Sequence, residues 1–375
     1  MKIKNLRKLL FFLVVLISCQ NGNKRHHVKI NIDYKSSDIL FKWFKDLPNK
    51  KLIDSILIEP GIQIMAENVK LINDTGANSI KSFKEEIQQF CLKDTINKYY
   101  YGLDLAWNVK EKSSKLLEKI KGEKIEDTIL ERALTYIPND YILNTTCNIY
   151  FVLTGWEWGD AYVCTVKKES KQFAISEKGE PTIMINLSLI SKLYGETVEE
   201  QSNILNGVLS HEIFHFLFAI YKRESPKYNQ KRDTTIIGQL CEVIQNEGIA
   251  HYIDMKPEII RDYKKSQKLQ EREFNNIKEL NNSFIQLIST GLTKVQKQEI
   301  LQKANVGKYW SKYGAITGMF IAYHIEKEKG KIGLQESVQK GPIYFLKQYI
   351  EIQKMNNSLP DLCRELKNYI NEKTN

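Results

Sequence analysis

Between Val208 and Phe216 the chain reads VLSHEIFHF, in which His211 and His215 flank Glu212 inside an otherwise apolar run. Histidines four apart on an α-helix project from one face, one turn above the other. At that spacing two imidazoles can reach one ion at the roughly 2 Å distance that zinc prefers. Glu212 is rotated away from a direct ligand position. It still lies close enough to take a proton from a water on the metal, the general-base role of the HExxH pattern. The bland alternative is a salt-bridged histidine pair on a packed helix. A chance HExxH arises on the order of once in a hundred such sequences or less, which weighs against it.

A catalytic zinc needs a third protein ligand and an open position for water. Outside the motif the histidines are His26, His27, His251 and His324, so the third ligand is sought among these and the carboxylates. Glu247, within NEGIAHY (Asn246 to Tyr252), is the best candidate, because Gly248 and Ala250 beside it permit close helix approach. Glu242 on the same segment and Glu224 in the preceding loop stay open as alternatives.

These residues need long helices and a support beneath them. Thr197 and Glu200 match a capping box, which starts a helix that runs through the HExxH residues and stops before Pro226. A second long helix is expected over Ile236–Asp254. Upstream, Cys147–Gly155, Asp160–Val166 and Thr182–Ile190 read as three strands separated by turns, enough for a small sheet. The Asp160–Val166 strand is either an edge along which an extended peptide pairs or, with Trp156 and Trp158 before it, a solvent-facing hairpin. Residues 36–135 read as mainly helical, and Pro138–Asp140 is a candidate boundary. Downstream, Gly314 and Gly318 stand one turn apart in a helical segment and would allow close packing.

An HExxH helix followed by a helix that donates a glutamate resembles the gluzincin zinc metallopeptidases. NEGIAHY is similar to the Glu-Gly-x-Ala form of that second helix in several bacterial families of zinc-dependent peptidases, lipoproteins among them. The resemblance covers roughly residues 145–255. It implies a zincin-like domain, Zn2+ held by His211, His215 and Glu247, Glu212 as base, and a peptide or protein substrate. The chain departs from the thermolysin-like pattern in two ways. Thirty-one residues separate His215 from Glu247, and His251 stands where an orienting aspartate is expected one turn after the glutamate. His251 is therefore read as a partner behind a ligand, or as a ligand itself. The resemblance also implies an oxyanion donor from a downstream segment. Tyr252, Tyr313, Tyr323 and His324 are the candidates, with Tyr313 and His324 first.

The N-terminus carries a different message. MKIKNLRK holds four positive charges, LLFFLVVLIS is a short apolar stretch, and Ser18-Cys19 ends a segment that resembles the bacterial lipobox. An ordinary signal peptide or a membrane anchor is the alternative. Cys19 is the expected lipidation site, which predicts an exported protein anchored by lipid in a bacterial envelope. The formal net charge is +10, but the remaining lysines alternate with acids, as over Lys110–Arg132. That pattern makes solvated helix faces rather than a nucleic-acid groove. No CxxC pair occurs, so neither a zinc knuckle nor a thioredoxin-like motif is expected, and the odd number of cysteines after Cys19, with their apolar neighbours, argues against a disulfide framework. The expected organisation is a signal peptide over 1–18, a lipidated tether over 19–35 and an N-terminal helical region over 36–138. A metallopeptidase domain with a helical C-terminal part fills 139–375. The expected fold class is α+β, predominantly helical, with a small mixed sheet packed against the HExxH helix. A lipoprotein of the same fold that binds a ligand or partner without turnover is the competing function.

Overall fold

The computed structural model describes residues 26–47, 50–73, 79–92, 100–155, 159–170, 172–229 and 233–374. The signal peptide, Cys19, Trp156 and Trp158 lie outside the described residues.

Five strands, β1 (His27–Asp33), β2 (Asn144–Val152), β3 (Ala161–Glu169), β4 (Gln172–Ile175) and β5 (Glu180–Asn186), form one mixed sheet in the order β1-β2-β5-β3-β4. β1, β2 and β5 run parallel, with Ile32 opposite Ile149 and Ile149 opposite Ile183. β3 is antiparallel to both β5 and β4. β5 is buried at every position from Pro181 to Asn186, as a strand covered on both faces must be.

Two expectations are corrected here. His27–Asp33 is an edge strand, although it lies in the segment 19–35 expected to be a tether; the alternation Val28, Ile30, Ile32 is its signal. The strand expected over Thr182–Ile190 stops at Asn186. There the Asn186 side chain accepts from the Ser188 and Leu189 amides (3.1 and 3.3 Å) and starts a helix.

Helices of seven or more residues are α1 (Lys35–Lys45), α2 (Pro60–Asn73), α3 (Ser79–Leu92), α4 (Lys110–Glu123), α5 (Glu126–Leu134), α6 (Leu187–Leu193), α7 (Val198–Glu224), α8 (Ile236–Asp262), α9 (Gln267–Ile288), α10 (Lys294–Lys303), α11 (Tyr313–Lys340), α12 (Pro342–Met355) and α13 (Arg364–Thr374). The fold is therefore mostly helical with one small mixed sheet, in line with an α+β class. α1 and α2 cover β2, and α2 also reaches β4, while α7 lies against β3 and β5. α4 and α5 pack onto α7, so the N-terminal helices and the rest share one apolar core that runs from Leu40 to Ile370. Asp140, at the candidate boundary, accepts from the Tyr221 hydroxyl (3.0 Å) and the Gln339 amide (2.8 Å). That segment is a junction tied to α7 and α11.

α7 begins at the expected capping box. The Glu200 amide donates to Thr197 Oγ1, and the Thr197 amide donates to Glu200 Oε2 (both 3.2 Å). By length and composition α7 could cross a bilayer, yet it is buried on most of its surface because the sheet covers one side and other helices the rest. α8 runs on through Pro257 to Asp262, beyond the expected end at Asp254.

α8 and α11 touch backbone to backbone. A Cβ on Gly248 would lie 2.4 Å from the Gly318 carbonyl carbon, and one on Gly318 would lie 1.8 Å from the Ile244 oxygen. Gly314 instead faces Ala304, whose Cβ would be 2.8 Å away. A methyl at Gly318 must push the helices apart, and overpacking of this kind costs about 1–3 kcal/mol. Gly318→Ala is therefore expected to lower the thermal midpoint, whereas Gly122→Ala, with nothing within 4 Å of the new Cβ, leaves it unchanged or slightly higher. Equal midpoints for both variants would disprove the close-contact account.

Candidate metal centre

The centre is built by the register between α7 and α8. Gly207 meets Asp254, whose Oδ1 would be 2.2 Å from a Cβ there. The His211 and His251 rings lie 4.6 Å apart. His215 faces Glu247 (3.4 Å) and Asn246 (3.1 Å), and Lys222 pairs with Glu242 (2.6 Å). Numbers rise along one helix as they fall along the other, so the two run antiparallel. Each contributes an i, i+4 pair to the same point: His211 and His215 from α7, Glu247 and His251 from α8.

His211 Nε2 and His215 Nε2 are 3.0 Å apart, and Glu247 Oε2 lies 3.4 Å from His215 Nε2 and 3.9 Å from His211 Nε2. Donors held about 2 Å from one tetrahedral ion are roughly 3.3 Å from each other, and the three separations bracket that value. One ligand atom from each of His211, Glu247 and His251 also lies within 4.8 Å of the other two. Both ring nitrogens of His251 are buried without a hydrogen-bond partner among the described residues. Unpartnered buried nitrogens beside a carboxylate are donors suited to a cation. Two nitrogens and an oxygen in this spacing fit zinc.

The electrostatics suit ligation at His211 and His251. Burial, with the neighbouring histidines, holds the His211 imidazole well below its ordinary value. Burial and the Lys312 charge push His251 down to about 3. Both rings are thus neutral, the form that donates a lone pair to a metal. For His215 and Glu247 burial opposes the charge on each, but their mutual attraction outweighs it. His215 is raised to about 9 and Glu247 lowered to about 2. Glu212 is raised to about 7, by burial first and then by the Glu247 and Asp160 charges, against the opposing pull of His215. Asn246 Oδ1 sits against His215 Nδ1, so an Nδ1–H donated there leaves Nε2 facing the cluster.

Residues 53–358, which include all of these groups, match the family described as "Putative zinc dependent peptidase (DUF5700)". The chain belongs to this family. No curated protein and no solved structure matches it. Zinc is the cofactor on which the family's description and the donor set agree.

Within this family member, the other sequence candidates have partners elsewhere. Glu242 is paired with Lys222, and Glu224 accepts from the Tyr141 hydroxyl at 2.9 Å. His26 Nδ1 accepts from the Leu143 amide at 3.2 Å, and His27 opens β1. Tyr252 packs against Tyr136, and Tyr323 against Tyr263. The two leading oxyanion candidates are also engaged elsewhere. Tyr313 donates to the Ile300 carbonyl at 2.9 Å, because its ring turns toward α10. His324 Nε2 is held by Glu273 Oε1 at 2.9 Å, in a buried network that Tyr263 completes.

Sequence reasoning gave no role to Asn246, Tyr309 and Lys312. Asn246 had a signal, its place beside Glu247. Tyr309 and Lys312 lie in a short connection between helices with no periodicity to read. The Tyr309 ring is 5.1 Å from His251 and its hydroxyl is buried without a partner among the described residues. The Lys312 charge bears on His211, Glu212, Glu247 and His251.

Partners that hold a ligating histidine are worth about 10–100-fold in metal affinity. Asn246→Ala is expected to weaken zinc binding by about that factor in a chelator competition, with the circular dichroism spectrum of the parent. Unchanged affinity would show that Asn246 does not hold the imidazole.

Proposed function

We propose that this protein is a gluzincin-type zinc metallopeptidase with a zincin-like fold, in which His211, His215 and Glu247 hold the ion and Glu212 is the general base. The observation that carries this reading is the antiparallel register that brings two imidazoles and a carboxylate to one point, with Glu212 buried in the same turn of α7. Zinc, when bound, supplies a Lewis acid that polarises the scissile carbonyl and acidifies water.

Glu212 takes a proton from the attacking water as the water oxygen bonds to the carbonyl carbon. It delivers that proton to the amide nitrogen as the C–N bond breaks. Burial keeps bulk water from competing at its carboxylate. A peptide substrate has a rail nearby. Among the described residues β4 pairs with Val166–Glu169 of β3 and not with 161–164, so that stretch is the one we read as the edge for an extended chain. Asp160, at the head of that stretch, is close enough for its charge to act on Glu212.

The basic and apolar N-terminal segment ending in Ser18-Cys19 supports export and lipid anchoring at Cys19 in a bacterial envelope. Cys19→Ala is expected to abolish incorporation of a labelled fatty acid in a bacterial host; incorporation at the parental level would refute the anchor.

The catalytic reading is tested with Glu212→Gln and a fluorogenic peptide library. Zinc content should stay at the parental level while kcat/KM falls by about 10²–10⁴, the usual worth of a positioned acid–base group. Hydrolysis at the parental rate would sink the assignment. A parent chain that holds zinc but cleaves nothing would favour the non-catalytic binding lipoprotein instead.

A further inference from the structure

We propose that His251 is a fourth protein ligand of the metal, so that the centre is three imidazoles and one carboxylate. This rests on the zinc reading above and goes beyond it, because a three-ligand site would leave His251 only a supporting role.

The case begins with hydrogen bonding. A buried histidine in a protein interior normally has at least one ring nitrogen satisfied. The other described buried or half-buried histidines outside the donor pair obey this: His324 meets Glu273, and His26 accepts from the Leu143 amide. His215 likewise has Asn246 behind it. His251 is 5 % exposed, and neither of its nitrogens has a hydrogen-bond partner among the described residues.

A histidine that supports a ligand from behind does so through a hydrogen bond to it. His251 makes none. Its flat contacts are with the His211 ring at 4.6 Å and the Tyr309 ring at 5.1 Å, both edge to face. Those contacts hold the ring in place and leave its lone pair unspent.

The fold supplies the rest. On α8, Glu247 and His251 repeat the i, i+4 spacing that His211 and His215 have on α7, and the helices run in opposite directions. The pairing therefore closes into a ring of four donors, with His251 across from His211 and Glu247 across from His215. A ligand atom of His251 lies within 4.8 Å of those of His211 and Glu247. Three imidazoles select a borderline divalent ion such as zinc over calcium or magnesium, which prefer oxygen. Four protein donors would fill a tetrahedral zinc, so a water or substrate would have to enter as a fifth ligand or in place of His251, which makes His251 the group that would govern access to the ion.

The test is X-ray absorption spectroscopy of the zinc-loaded full chain, with imidazoles counted from the outer-shell scattering, alongside zinc affinity by chelator competition. Three imidazoles are expected in the parent and two in His251→Ala. The variant should bind zinc more than about 100-fold more weakly, beyond the roughly 10–100-fold typical of a partner behind a ligand. Two imidazoles in the parent would overturn this inference and leave the three-ligand reading standing. A parent that takes up no zinc would overturn both. The parental count stands even if the alanine variant does not fold.

Discussion

Two long helices lie side by side in opposite directions, and their register decides what meets what at the centre. It is pinned beyond both ends of the donor cluster. At one end the Asp254 side chain fits the space that Gly207 leaves on α7. At the other, Lys222 and Glu242 form an ion pair. Between these pins the donors have no freedom to choose other partners. A buried carboxylate and imidazolium are costly to hold apart, so His215 and Glu247 need each other when no metal is present. A divalent cation would satisfy the same carboxylate and the neutral rings together.

Everything around the pair keeps it rigid. The sheet supports α7 from below, and α11 closes over α8. Tyr136, from the N-terminal helical region, donates to Glu326 on α11 (2.7 Å), and Lys256 on α8 reaches both (2.7 Å to Glu326, 2.8 Å to Tyr136). This knot joins three parts of the chain that are far apart in sequence. On the same turn of α11, His324 meets Glu273 of α9; both are almost wholly buried and bind α11 to α9. Buried polar pairs of this kind favour one arrangement over its neighbours, since any slip leaves a polar group without a partner.

The part of this design written in local sequence was legible. The capping box, the apolar run and the four-residue histidine spacing identify α7 because each acts within one helix. Glu247 was legible for a similar reason, since the glycine beside it signals close packing. The register between α7 and α8 was not, because it depends on fits such as Asp254 against Gly207, between residues far apart in the chain. That is why the sequence marks His251 as a candidate without placing it. Tyr313 and His324 had suitable chemistry but the wrong neighbours. α11 is buried on nearly every side over Tyr313–Ile325, so no periodicity tells which element a given side chain meets. The N-terminal strand was missed because its polar half masks a short alternation, and the end of β5 because one asparagine converts an apolar run from strand to helix.

The meeting of Gly248 and Gly318 carries a further consequence. Most helix contacts are cushioned by side chains that can change rotamer when the structure is stressed. At this point there are none to change, and the two main chains bear directly on each other one residue from Glu247. The contact therefore acts as a fulcrum. A shift of α11 at Gly318 meets the α8 main chain beside Glu247 directly, with no side chain between them to take it up.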